Sequence, residues 1–168
     1  MDADYFRTLF DHLYWARDRV LAAAESLTDE EYAKPNGFTY KSVRGILVHC
    51  LAGESNWLAR ARGEAPPPFA REEDLPTVAA LKARWQDDES KVRAYLAGLT
   101  DADVSGSITF KGRDGNERTM LLWHILQLVY HHTVQHRSEA AEALTMAGHS
   151  PGDMDFMVYL NARAAPAR

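Results

Sequence analysis

Two histidines four residues apart in one long amphipathic helix, His132 and His136, are the residues of this chain whose types and spacing best suit chemistry. They fall within Met120–Ala147, where Leu121, Leu122, Ile125, Leu128, Val129 and Leu144 recur at the interval of one long helix. A spacing of four leaves the rings about 40° apart in azimuth and one turn apart along the axis, so both imidazoles can converge on one ion. Two ligands rarely make a competent site, and a third imidazole or a carboxylate has to come from a facing helix. His49 is the candidate. His124 and His131 lie in the same helix and leave a plainer reading open, a partly buried polar seam or a solvated histidine face. A zinc peptidase is disfavoured, because Thr133 stands where the HExxH signature needs its glutamate base.

Positioning such a site requires a bundle, and the chain has the helices for one. From Ala3 to Leu27, Phe6, Leu9, Phe10, Leu13, Ala16, Val20 and Ala24 make an apolar stripe, with Arg7, Asp11, Arg17, Asp18 and Glu25 opposite. His12 sits at the edge of that stripe, the usual place of a satisfied boundary histidine. Thr28 to Glu31 spell a capping box for a short new turn before Pro35, Asn36 and Gly37 break the chain. Ser42 is placed to cap a second helix from Val43 to about Arg62, ended by Gly63 and three prolines. His49 lies on its inner side, and Asn56, seven residues on, shares that face. Asn56 is therefore read either as a hydrogen-bond partner of the site or as a solvent-exposed residue. Cys50 is rotated about 100° from His49 and reads as a small buried side chain.

The segment from Gly63 to Pro76 is longer than a tight helical hairpin needs, so the second and third helices need not be antiparallel neighbours. Thr77 can cap the third helix, striped by Val78, Leu81, Trp85, Val92, Leu96 and Leu99, with Lys82, Arg84, Asp87, Asp88, Glu89, Lys91 and Arg93 on a solvated outer face. Leu99-Thr100-Asp101 echoes Leu27-Thr28-Asp29, the trace of a degenerate two-fold repeat. Between Ser105 and Thr119, alternation around Ile108 and Phe110 and the turn residues Gly112 to Asn116 predict a small hairpin or extended flap. Gly148 is placed to end the fourth helix, Ser150 and Pro151 to start a short last one, and Ala164 to Arg168 to fray. The expected fold is all-α: one domain over residues 1–168, a four-helix bundle with a long crossover, a small flap and a short C-terminal helix.

At 168 residues the chain can bury one core. A formal net charge of −5 with no dense basic patch works against nucleic acid or an anionic membrane as partner. No run approaches a membrane span, and Met1 to Asp4 with their two aspartates do not read as a signal peptide. The single cysteine suits a reducing compartment, so the expected location is the cytoplasm.

A histidine midway along the second helix and an HxxxHR string late in the fourth resemble the DinB/YfiT-like family of metal-binding four-helix bundles. The likeness is carried by Trp15 and Ala16, by Ser42 to His49 with Glu54, Trp57 and Arg60, by the Asp114-Gly115 turn, and by His132 to Arg137. It spans almost the whole chain and implies that His49, His132 and His136 take the positions of the family's metal triad. His131, Ser138 and Glu139 depart from the Asn and Gly-Gln common at those places. Glu139 shares the ligand face and could orient an imidazole or accept a proton as a catalytic base.

Three neutral imidazoles would leave a divalent ion its full charge and an open position. Nickel or zinc suits them best, with iron and manganese compatible. The resemblance implies relatives that bind a low-molecular-weight thiol and transfer it to electrophiles, and implies a homodimer. Three functions follow: a metal-dependent thiol S-transferase, a metal-dependent hydrolase with Glu139 as base, or a stress-related metal-binding protein without turnover.

Overall fold

The computed structural model of the protein describes residues 2–164. Seven helices and one hairpin follow in the order α1 (Ala3–Ala24), α2 (Asp29–Ala33), α3 (Val43–Ala61), α4 (Val78–Gly98), α5 (Asp101–Ser105), β1 (Ser107–Lys111), β2 (Glu117–Leu121), α6 (Leu122–Met146) and α7 (Phe156–Ala164), with one 3-10 turn, Glu72–Asp74, inside the crossover. The expected caps are present. Ser42 accepts from the Gly45 amide and Thr77 from that of Ala80, so each helix starts where a side-chain oxygen satisfies an orphan N–H. Thr28 with Glu31 and Thr100 with Asp103 form matching capping boxes for the five-residue helices α2 and α5. The echo in the sequence is thus a repeated local structure, followed by a hairpin only the second time.

Side-chain pairs set the helix directions. Arg7 meets Leu96, Asp11 meets Arg93 and Glu25 meets Lys82, so α1 and α4 run antiparallel. Glu54 meets Trp85 and Ala61 meets Tyr95, so α3 and α4 are parallel neighbours. Parallel neighbours require the chain to return along the bundle. A 19-residue helix is roughly 28 Å long, which the extended segment between α3 and α4 can span. The length of the crossover follows from this up-down-down-up arrangement.

The hairpin pairs β1 with β2 antiparallel, Ile108 opposite Met120 and Phe110 opposite Arg118. Gly115 supplies the positive φ of its turn. Met120 and Leu121 belong to β2, so the fourth long helix starts two residues later than its apolar periodicity predicts; ladder pairing captures them first. Gly148 ends α6 in the left-handed region as expected. Ser150 and Pro151, however, do not start the last helix. That helix starts at Phe156, after an irregular stretch that ends where the Asp155 side chain accepts from the Met157 amide. Within that stretch the Met154 carbonyl is anchored by the ring of His12. Of Ala164 to Arg168, expected to fray, Ala164 is the last residue of α7, and residues 165–168 lie outside the described residues.

Two apolar clusters fill the bundle. One is centred on Ile46, Leu47, Leu51, Leu81, Trp85 and Leu144, the other on Phe6, Phe10, Leu13, Leu58, Ile125 and Leu126. Polar side chains are buried between them. Arg17, read as part of a solvated face, is 2% exposed and pairs with Asp18 and Glu89 while its guanidinium lies over Tyr14. Glu89 therefore also leaves the solvated face assigned to it. Glu54 accepts from the Tyr14 hydroxyl at 3.1 Å and from the Trp85 indole at 3.0 Å, tying α1 and α4 to the back of α3.

Burial raises the Glu54 carboxyl from 4.5 to about 7, against the pull of Trp85, Arg17, Tyr14 and Arg137. The folded protein then keeps a proton that the unfolded chain gives up near pH 4.5, so stability falls as pH rises from about 4.5 to about 7. Glu54→Gln removes this dependence. The stability difference, variant minus wild type in urea denaturation, is expected to grow by about 3 kcal/mol between pH 5 and pH 8. Taking the difference cancels the opposite trend from His49 and His132, which the unfolded chain protonates first below pH 6.5. A difference that stays level across this range refutes the assignment.

Candidate metal centre

The rings of His132 and His136, one turn apart on α6, face that of His49 on α3. Ring centroids are 5.1 Å apart for His49 and His132 and 4.6 Å apart for each pair that includes His136. Among the described residues these three form a group in which one ligand atom from each lies within 4.8 Å of the others. His136 is buried and the other two are half-buried.

The close approach of the two helices depends on Gly53. A Cβ there would lie 2.3 Å from His132 Cε1 and 2.8 Å from its Nε2, so the imidazole occupies the space a side chain would take. Gly45 does the same for the segment before α3, since a Cβ would meet the Tyr40 carbonyl oxygen at 2.1 Å. The ring of Tyr40 then stacks on His49 at 3.8 Å and meets His136 edge-on. Sequence reasoning missed Tyr40 and Gly53. Gly53 did carry a signal: a mid-helix glycine costs about 1 kcal/mol relative to alanine, and this one lies about 40° in azimuth from His49.

The donor set fits a divalent transition metal. A metal–nitrogen bond of about 2.0–2.1 Å puts two imidazole nitrogens of one tetrahedral ion about 3.3 Å apart. His49 Nε2 and His132 Nε2 are 3.2 Å apart. In the protein alone these two nitrogens have only each other as hydrogen-bond partner, and His132 Nδ1 is buried without a hydrogen-bond partner among the described residues. Such orphaned donors and acceptors are costly and point to a partner outside the polypeptide. Burial, reinforced by the neighbouring imidazoles, holds His49 and His132 down to about 4, so both are neutral bases at neutral pH.

Glu139 accepts from His136 Nδ1 at 2.7 Å and from the Gln135 amide at 3.3 Å. That hydrogen bond directs the Nε2 lone pair of His136 toward the other two rings, the carboxylate–histidine pattern of metal sites. Glu139→Ala is expected to weaken metal binding by roughly 10- to 100-fold in competition with a chromophoric chelator while the protein still fills with excess metal. Unchanged affinity would leave Glu139 without this orienting role.

The remaining candidates lie elsewhere. His12 is buried between the Tyr130 hydroxyl and the Met154 carbonyl, a satisfied structural histidine. His131 is exposed beside Gln127, and His124 is exposed against Trp123. Asn56 is neither a partner of His49 nor exposed. It is 5% exposed and donates to the Pro67 carbonyl, pinning the crossover to α3. Cys50 is fully buried, with its thiol pushed up by desolvation, as its azimuth predicts.

Comparison with known proteins agrees with this geometry. The DinB family profile matches residues 1–167, essentially the whole chain. The chain belongs to the DinB family. No curated protein matches it. This DinB-family chain therefore combines the family's helical fold with a three-histidine cluster that could hold a metal ion. No helix among its described residues is long and apolar enough to cross a membrane.

Proposed function

We propose that this DinB-family protein is a metal-dependent enzyme that transfers a low-molecular-weight thiol to an electrophile, with His49, His132 and His136 holding one divalent ion, nickel or zinc. The observation that supports it most is the convergence of three imidazoles, one ligand atom from each within 4.8 Å of the others, with 3.2 Å between two of their Nε2 atoms. An ion held this way would keep its full charge and an open position able to favour a thiolate over a thiol. The protein's own residues supply the setting: Glu139 orients His136, Tyr40 covers His49, and Gly53 makes room for His132. In the reaction a sulfur–carbon bond forms, the leaving group departs with its electron pair, and the thiol proton passes to solvent.

The partners in this reading are a small thiol, an electrophile and a second copy of the chain, with no part for nucleic acid or membrane. The hydrolytic alternative, with Glu139 as base, has less to stand on, because that carboxylate is already engaged by His136 and Gln135. The test is a panel of cellular thiols against a chromogenic electrophile, with protein purified without a metal-affinity tag. Conjugation that needs both metal and thiol is the expected result. Turnover without thiol would favour the hydrolase, and metal occupancy without any turnover would leave a binding protein.

A further inference from the structure

On α3, the face that carries His49 continues through Asn56 to Arg60. Eleven residues return Arg60 to within about 20° of the azimuth of His49, roughly 16 Å further along the axis. There α3, the crossover and the hairpin turn enclose a cavity of about 350 Å³, within the range of small-molecule sites. Its walls are the rings of Trp57, Phe69 and Phe110 and the guanidinium groups of Arg60, Arg113 and Arg118.

The charge of this cavity is unbalanced. Arg118 pairs with Asp114 at 3.1 Å, but among the described residues neither Arg60 nor Arg113 has a carboxylate within 4.0 Å. Arg60 is only 8% exposed, lies over Trp57 and Phe110, and donates through Nη1 to the Asn56 carbonyl of its own helix. Its Nε is buried with no partner. Arg113 is exposed and lies over Phe69 at 4.2 Å. Burial and the nearby Arg113 both disfavour the charge on Arg60. A buried, unpaired cation is costly, and an anion able to take two N–H donors at once offsets that cost. The overall charge of −5 and the concave shape favour a small anion over a polyanion.

We propose that this cavity is an oxyanion subsite, receiving a carboxylate or phosphate group of a small molecule between Arg60 and Arg113, with its apolar stem against Trp57, Phe69 and Phe110. The orientation of that molecule along α3, reacting end toward the histidines, rests on the metal-dependent reading above. The subsite itself does not.

The experiment is a titration of the full chain with inorganic phosphate, succinate and uncharged 1,4-butanediol at constant ionic strength, read by tryptophan fluorescence with Trp57→Phe to assign the signal. Saturable binding of phosphate, succinate or both, absent for the diol, is expected, and the stronger of the two identifies the oxyanion. Arg113→Gln, at an exposed turn position, should weaken binding about 10-fold, and Arg60→Gln between 10- and 100-fold. No saturable signal in the wild type, equal binding of the diol, or affinity indifferent to Arg113→Gln would overturn the proposal. Repeating the titration on His49→Ala separates the two claims. Unchanged anion binding there supports the arginine subsite whatever becomes of the triad, whereas binding lost with the triad yet indifferent to the arginines overturns it.

Discussion

Replacing His132 by alanine is expected to lower the metal content from near one ion per chain to less than a tenth of that, and to abolish any metal-dependent turnover. His132 touches both other members of the cluster, its Nε2 lying 3.2 Å from that of His49 and its ring centroid 4.6 Å from that of His136. Without it only two imidazoles remain, on different helices, and each must hold the ion in competition with water. Loss of an outer partner of a ligand costs 10- to 100-fold in metal affinity, so loss of a ligand should cost at least about 100-fold. The fold should survive, because the substituted ring is half-buried and the apolar clusters on either side do not include it. Elemental analysis of tag-free protein, with circular dichroism as the control for folding, is the measurement. His49→Ala and His136→Ala should behave alike. Full metal content in all three variants would end the triad reading and the proposed reaction with it.

Gly53→Ala should have nearly as large an effect while leaving every histidine in place. The added methyl would stand 2.3 Å from His132 Cε1 and 2.8 Å from Nε2, closer than atoms can pack. What it meets is the end of a side chain rather than backbone, so the imidazole swings aside and α3 keeps its course. Alanine is also the better helix former by about 1 kcal/mol. The expected outcome is a metal-free protein at least as stable as wild type to urea, with metal affinity reduced about 100-fold or more. A merely destabilising substitution cannot produce that combination. Wild-type affinity in this variant would mean that His132 binds in another orientation or not at all.

Much of the bundle was legible from local chemistry. Ser42, Thr77 and Thr28 announce their helices by the hydrogen bonds that a hydroxyl can offer to free amides, and the structure places all three at helix starts. The alternation around Ile108 and the glycines of the turn announced the hairpin. Arg17 was misread because its neighbours in sequence are charged. What buries it is Glu89 and the rings of Tyr14 and Trp85, two of these on another helix. Ser150 and Pro151 suit a helix start, yet the chain there stays non-helical through Asp155, and the ring of His12 engages the Met154 carbonyl. Nothing in the local sequence reports that contact.

By itself the sequence determined which side chains share a face: His132 with His136 on one helix, and His49 with Gly53, Asn56 and Arg60 on another. A helix of 3.6 residues per turn sets azimuth along its own axis from spacing alone. Only the tertiary structure decided which level of α3 faces which level of α6, that α3 and α4 run parallel, and that Tyr40 closes over His49 and His136. Those relations depend on how far two backbones approach and at what height they meet. Here the missing side chain of Gly53 and the buried layer around Glu54 and Arg17 set both, through contacts between residues distant in the chain.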